Sequence, residues 1–190
     1  MLFRSAIEIP LKRDFGGSTY HVLKRCTIIT RMRTDDGLVS EVYNGDNRDE
    51  AREIVEIIQK ELAPMVIGQE VMQIERLWEK MYAATTAQRN RKLVMEAIAC
   101  IDTALWDLMG KACNVSVHKL LGGYRDRLPI ISIGGYYIEG KTLADLGKEM
   151  EWLRSMGMAG CKGKVGGLSP EQDAKRGEAA RKGAGDDFIL

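Results

Sequence analysis

The chain has 190 residues and a mass of 21.2 kDa, enough for one ordinary domain or for a small domain and the beginning of another. Its 28 Lys and Arg balance 27 Asp and Glu, so it offers neither the basic field a phosphate backbone needs nor an acidic tail, and nucleic acid is not expected as a partner. No apolar run approaches the roughly 18–20 residues of a membrane span, and Met1 leads to Arg4 and Glu8 without a signal-peptide core; no membrane association and a cytoplasmic location are expected. Cys26, Cys100, Cys113 and Cys161 lack paired CxxC spacing and read as reduced, mostly buried thiols, with no metal implied.

The first forty or so residues read as three strands, Leu2 to Pro10, Val22 to Arg33 and Leu38 to Tyr43, forming an antiparallel meander. Thr34-Asp35-Asp36-Gly37 joins the last two, with Asp-Gly suited to the positive φ angles of a tight turn. The polar, glycine-containing stretch from Asp14 to His21 reads as a mobile loop. From Asp49 the apolar spacing becomes helical: Ala51, Ile54, Val55, Ile58 and Leu62 mark one face, which Pro64 should terminate. Val71, Ile74, Leu77, Trp78 and Met81 form a second stripe, and Val94, Ala97, Ile98, Ile101, Ala104, Leu105 and Leu108 a longer third. A helical bundle on a small sheet is expected, with Trp78 and Trp106 packed in its core. Asp102 and Asp107 lie five apart on the long helix, so they do not share one face as a catalytic pair would. Asp102 reads as a packing or interface residue and Asp107 as solvated.

After Leu120-Leu121-Gly122-Gly123 the pattern changes to an apolar run from Leu128 to Ile133, read as a buried strand ending at Gly134-Gly135-Tyr136-Tyr137. Thr142 with Asp145 forms a capping box for a helix whose buried stripe is Leu143, Leu146, Met150 and Leu153, closed at Gly157. A second buried strand, Gly160 to Val165, leads to Ser169-Pro170-Glu171-Gln172, a strong helix start, and that helix runs to about Gly183. Asp187-Phe188-Ile189-Leu190 begins a further strand. Strands alternating with helices argue for parallel βα units, and only about two follow Arg125, whereas a complete (β/α)₈ barrel takes about 250 residues. The expected fold is an α+β domain, residues 1–125, followed at 126–190 by the opening of a TIM-like barrel that this sequence truncates.

Gly160-Cys161-Lys162-Gly163-Lys164-Val165-Gly166-Gly167 carries the chemistry. Residues two apart on a strand share a face, and neither face of a barrel strand readily accepts ammonium groups, so Lys162 and Lys164 belong at its carboxyl end, in the mouth of the barrel. A desolvated lysine beside another cation is more easily deprotonated, as a base near neutral pH must be, and the second cation can attract an anionic substrate.

The order of meander, glycine-containing loop, the helix bearing Ala97-Ile98-Ala99-Cys100-Ile101-Asp102-Thr103-Ala104-Leu105-Trp106-Asp107-Leu108, Leu120-Leu121-Gly122-Gly123 and Lys162-Gly163-Lys164-Val165-Gly166-Gly167 resembles the enolase superfamily, mandelate racemase group, over nearly the whole chain. The resemblance implies a capping domain over a modified (β/α)₇β barrel holding Mg²⁺, and removal of the proton alpha to a carboxylate, with the metal stabilising the enediolate. Lys164 would be the base and Lys162 its electrostatic partner. Phe15, Gly16, Gly17, Tyr20 and His21 sit where the family's specificity loop closes over substrate; Tyr43, Asn44 and Gly45 resemble its second capping loop, and Tyr136 and Tyr137 would line the mouth. The family's three acidic metal ligands and its histidine base have no counterpart up to Leu190, so no residue of this sequence is assigned as a metal ligand, and neither His21 nor His118 as a catalytic base. The expected activity is dehydration or racemisation of an acid sugar or hydroxy acid by a homo-oligomeric enzyme. Cycloisomerisation and a non-catalytic interaction module are the alternatives, and this chain alone is expected to be inactive.

Overall fold

A computed structural model of the chain describes residues 2–45, 49–85 and 90–190, which divide into two compact units. One comprises Met1–Pro10 and Lys24–Tyr124, the other Leu11–Leu23 and Arg125–Leu190.

The first unit is a sheet covered by helices. Strands β1 (Leu2–Gly16), β2 (His21–Arg33) and β3 (Val39–Asn44) are hydrogen-bonded in that order. Strands β2 and β3 are antiparallel, with Arg33 opposite Val39 and Ile28 opposite Asn44. At their turn Gly37 adopts φ 98°, and the Thr34 amide donates to the Leu38 carbonyl at 3.0 Å. Alternation along β2 buries Cys26, Ile28, Thr30 and Met32 on one face. Half of the stretch from Asp14 to His21, expected as a mobile loop, is strand: β1 continues through Gly16 and β2 begins at His21, leaving residues 17–20 as the turn.

Helix α1 (Ala51–Ile57) passes through a π-helical turn (Ile58–Leu62) into α2 (Ala63–Val66). Pro64 therefore does not end the helix as its missing amide suggested. The Ala63 amide bonds to the Ile58 carbonyl, five residues back, and this wider turn immediately before Pro64 relieves the clash that a ring makes with a regular helical carbonyl. Helix α3 (Ile74–Ala84) follows, then the long α4 (Arg91–Cys113), which is capped by the Asn90 side chain at the Leu93 amide and ends at Asn114 in the left-handed region, φ 52°. Leu93, Val94, Ala97, Ile98, Ile101, Ala104, Leu105 and Leu108 are all buried on α4, the centre of a core that also includes Ile54, Ile58, Leu62, Leu77 and Met81. Trp78 and Trp106 pack against this core. Partial burial, with Glu75 nearby, pushes the Asp102 carboxyl above its ordinary range. Asp107 is paired with Lys111 at 2.6 Å rather than simply solvated. The short helix α5 (Val117–Leu120) carries His118, which is exposed.

In the second unit β4 (Ile131–Ile133) and β5 (Gly160–Lys162) pair in parallel, Ile131 opposite Gly160 and Ile133 opposite Lys162. Ile189 adds a parallel bridge to Gly160. Helices α6 (Leu143–Ser155) and α7 (Pro170–Ala184) cross over the pair, and both capping boxes are formed: Thr142 with Asp145, and Ser169 with Gln172. Leu146, Met150, Leu153, Cys161, Ala184 and Phe188 make its core. Leu143, read as part of the buried stripe, is exposed because it lies in the first turn beyond that core.

Both strands are shorter than expected from the apolar run Leu128 to Ile133 and from the buried strand Gly160 to Val165. Leu128, Ile130, Ile131 and Ile133 are at least half exposed, and Val165, expected on a buried strand, is 72% exposed. The reason is physical: β4 has a ladder partner only on the β5 side, and no described residue covers the apolar side chains of its other face. Helix α7 ends one residue later than expected, with Gly185 (φ 78°) after it, so Gly183 lies inside the helix. Its role there is close packing, since a Cβ on Gly183 would sit 2.0 Å from the Gly147 carbonyl oxygen of α6.

Candidate functional site

Three segments of the second unit meet at the carboxyl ends of β4 and β5. The first is the end of β4. Gly134 and Gly135 make a tight turn: Gly135 adopts φ 60°, which favours glycine, and a Cβ on Gly134 would lie 2.9 Å from Glu149 Oε1 and displace that carboxylate. Glu149 accepts from the Gly135 amide at 3.2 Å and pairs with Lys141, while Arg176 donates to the Gly135 carbonyl at 2.7 Å. Helices α6 and α7 thereby fix where Tyr136 and Tyr137 begin.

The second segment is the tip of the β1–β2 hairpin. Gly16 and Tyr137 exchange both main-chain hydrogen bonds, at 2.9 and 3.1 Å, and Arg13 donates to the Glu139 carbonyl. These bonds tether the end of the hairpin: β1 pairs with β2, and the Gly16 amide and carbonyl are satisfied by a partner more than a hundred residues away. Phe15 packs on Tyr136 with ring centroids 4.5 Å apart and planes tilted 57°. Gly17 donates its amide to the Tyr20 carbonyl at 3.0 Å, and a Cβ there would lie 2.5 Å from the Tyr20 ring, so glycine is needed for the ring to fold over the turn. Tyr20 is 40% exposed and His21 is exposed.

The third segment carries the lysines. Strand β5 ends at Lys162, whose carbonyl accepts from the Gly134 amide at 3.2 Å and whose side chain is exposed. Lys164 lies beyond the strand, half-buried, with its ammonium 4.9 Å from the centre of the Tyr136 ring. The two lysines thus do not extend from one regular strand face as the period of two suggested. Tyr43 lies on β3 of the first unit and is 76% exposed.

The sequence reading missed what stands behind the lysines. The Tyr137 hydroxyl donates to Asp173 Oδ1 at 2.7 Å and accepts from the Gly167 amide at 3.0 Å; Asp173 Oδ2 accepts from the Gly166 amide at 2.6 Å. The Arg176 guanidinium lies 4.4 Å over the Tyr137 ring, with its Nε 3.6 Å from Asp173 Oδ1. The hydrogen bond from Tyr137 holds the Asp173 carboxyl below its ordinary range; burial opposes this, and the Gly166 and Leu168 amides and Arg176 reinforce it. Burial, and then the bond to Asp173, push the Tyr137 phenol upward. The available local signal was the acid in the first turn of α7, which suits a helix N-terminus on electrostatic grounds alone and so did not stand out.

Among the described residues, no group of three or more His, Cys, Asp or Glu side chains could hold a metal ion. Nor is any helix long and apolar enough to cross a membrane. The site's own chemistry is two cations at a strand end, one of them against the Tyr136 ring, on which Phe15 of the tethered hairpin also packs.

Arabinonate dehydratase of Saccharolobus solfataricus is 37% identical over 164 residues, 86% of this chain and 43% of that protein. D-galactarolactone cycloisomerase of Agrobacterium fabrum is 30% identical over 186 residues, 97% of this chain and 48% of the relative. A solved mandelate racemase/muconate lactonizing enzyme at 47% identity superposes with a TM-score of 0.92, over 100% of this chain and 51% of its own. Another from a marine actinobacterium, in complex with magnesium, is 44% identical with a TM-score of 0.81, over 98% of this chain and 50% of its own. The chain spans about half the length of these proteins. A model of the mandelate racemase / muconate lactonizing enzyme N-terminal domain matches residues 7–122, and the antiparallel sheet with its helices has that domain's fold: the chain belongs to the mandelate racemase / muconate lactonizing enzyme family of the enolase superfamily.

Proposed function

We propose that the protein removes the proton alpha to the carboxylate of an acid sugar, with Lys164 as the base and Lys162 as the cation that draws the carboxylate in, and that elimination of water completes the reaction. The observation carrying this reading is the half-buried Lys164 ammonium at the carboxyl end of β5, 4.9 Å over Tyr136, in a chain of this family. The Tyr136 ring covers part of one lysine while the other stays exposed, which suits the first to proton transfer and the second to attraction. Phe15, Gly17, Tyr20 and His21 would shape the side of the mouth that faces substrate, with Tyr137 contributing its main chain there while its hydroxyl is turned to Gly167 and Asp173. Residues 1–125 would serve as the capping domain and 126–190 as the first βα units of the barrel. The proton next to a carboxylate is very weakly acidic, and a base alone does not stabilise the dianion left behind. We therefore assign Mg²⁺ to the whole enzyme, on residues outside this chain.

The resemblance to a cycloisomerase supports a second reading, in which the same proton transfer accompanies ring opening or closure rather than loss of water. The test is solvent deuterium incorporation at the alpha carbon of a panel of acid sugars by the whole protein with Mg²⁺, with product analysis, for the native sequence and Lys164→Ala. Exchange that disappears with Lys164 is expected, with a 2-keto-3-deoxy acid as product; a cyclised or ring-opened isomer would favour the second reading. Exchange unchanged in Lys164→Ala refutes the assignment of the base.

A further inference from the structure

We propose that Tyr137 and Asp173 are positioning residues which, through the Gly166 and Gly167 amides, set the place of Lys164. This rests on the reading of Lys164 as the base.

Lys164 lies on a short link between two anchors. On its amino side the link begins at Lys162, tied to β4 by the Gly134 amide and by the parallel ladder. On its carboxyl side stand Gly166, whose amide donates to Asp173 Oδ2 at 2.6 Å, and Gly167, whose amide donates to the Tyr137 hydroxyl at 3.0 Å. The hydroxyl passes its own hydrogen bond to Asp173 Oδ1 at 2.7 Å, so one carboxylate terminates both contacts. Both glycines are required by the geometry: Gly166 adopts φ 87°, and a Cβ on Gly167 would lie 2.6 Å from the Tyr137 ring. Residues 163 to 165 have no regular structure, so the second anchor determines how far the lysine reaches.

Tyr137 joins this anchor to the substrate side. Its main chain holds Gly16 of the hairpin by two hydrogen bonds, while its side chain holds Gly167 and Asp173. The two functions are separable by chemistry, because Tyr137→Phe deletes only the hydroxyl and keeps both the main-chain bonds to Gly16 and the ring under Arg176. Asp173→Asn keeps the shape but replaces one acceptor with a donor facing groups that themselves donate.

Two measurements test the proposal. Hydrogen exchange of this chain is expected to show the amides of Gly166 and Gly167 exchanging about tenfold faster or more in Tyr137→Phe and Asp173→Asn, with the Gly16 amide and the α4 core unchanged. In the whole enzyme, alpha-carbon exchange is expected to fall about ten- to a hundredfold in kcat with KM within about twofold, as for a reacting group displaced by a fraction of an ångström to an ångström. Unchanged amide exchange overturns the proposal. So does faster amide exchange with native kcat, or a loss confined to KM or to thermal stability. Lys164→Ala in the same assay separates the two ideas: full activity there refutes the base assignment, whereas a dead Lys164→Ala beside a fully active Tyr137→Phe refutes only the positioning role.

Discussion

Helix α7 contains two interior glycines that should answer the same substitution with opposite signs. In isolation, alanine is favoured over glycine inside a helix by about 0.8–1 kcal/mol. At Gly177 an added Cβ meets nothing within 4 Å, so Gly177→Ala should realise most of that gain. At Gly183 the same Cβ would sit 2.0 Å from the Gly147 oxygen, 2.6 Å from its carbonyl carbon and 2.7 Å from its Cα, where ordinary contact begins at 3.4 Å. All three are backbone atoms of α6 and cannot rotate away, so the helices must part by about 1 Å. Overpacking of this kind costs about 1–3 kcal/mol even where side chains can adjust, and a gap of about that width forfeits a quarter to a half of the dispersion energy at neighbouring contacts. Taking the upper end and subtracting the propensity gain leaves Gly183→Ala destabilised by about 2 kcal/mol. Urea unfolding of the chain followed by far-ultraviolet circular dichroism should move the midpoint of the second unit upward for Gly177→Ala and downward for Gly183→Ala. An upward shift for Gly183→Ala, equal to that of Gly177→Ala, would show that the α6–α7 contact is not the close backbone crossing described here.

In the first unit Leu105→Ala removes a side chain that is 2% exposed at the centre of α4, and a loss of about 2–5 kcal/mol in urea unfolding is expected; a loss below about 1 kcal/mol would mean that the site collapses around the missing atoms. Burial pushes the Cys100 thiol up to about 11, so the unfolded chain releases that proton first and the stability this thiol contributes below about pH 9 is lost as pH rises toward 11. Stability measured at about pH 8 and about pH 10.5 should therefore fall more in the native sequence than in Cys100→Ala, and equal falls would contradict the burial. Exposed Cys113 should react with a thiol reagent well before buried Cys26, Cys100 and Cys161, and simultaneous reaction of all four in the native chain would contradict the core.

What the sequence disclosed follows from how local each cause is. The boxes at Thr142 and Ser169 are legible because both members lie within four residues, and the structure forms both. The stripes of α3 and α4 are legible because a period of 3.6 is repeated over several turns. Pro64 misled because its effect depends on whether the preceding turn can widen, and the Ile58–Leu62 turn does so without any mark in composition. The stretch from Asp14 to His21 misled for another reason: β1 and β2 pair right up to a short turn, and the Gly16 end of that hairpin is held by hydrogen bonds to Tyr137, which no local window contains. The lysine motif was conspicuous, yet β5 ends at Lys162 and leaves Lys164 to be placed by Gly166, Gly167, Tyr137 and Asp173. Nothing about Asp173 in one dimension distinguishes it from an ordinary first-turn acid.

That last case shows how a helix start can serve the loop before it. Ser169 caps α7 and Pro170 occupies its first turn, which fixes the direction in which the helix leaves the loop. Side chains on a helix tilt toward its amino terminus, so an acid one turn in, at Asp173, leans back over the residues that precede the cap. There the Tyr137 hydroxyl first, and then the amides of Gly166 and Leu168, donate to the carboxylate and hold its pKa below the ordinary range, at a helix end that suits an anion. The residues that begin the helix thus also anchor the chain that presents Lys164. For the same reason a change at Asp173 should be felt first in the loop and only weakly in the helix, which keeps its own cap at Ser169.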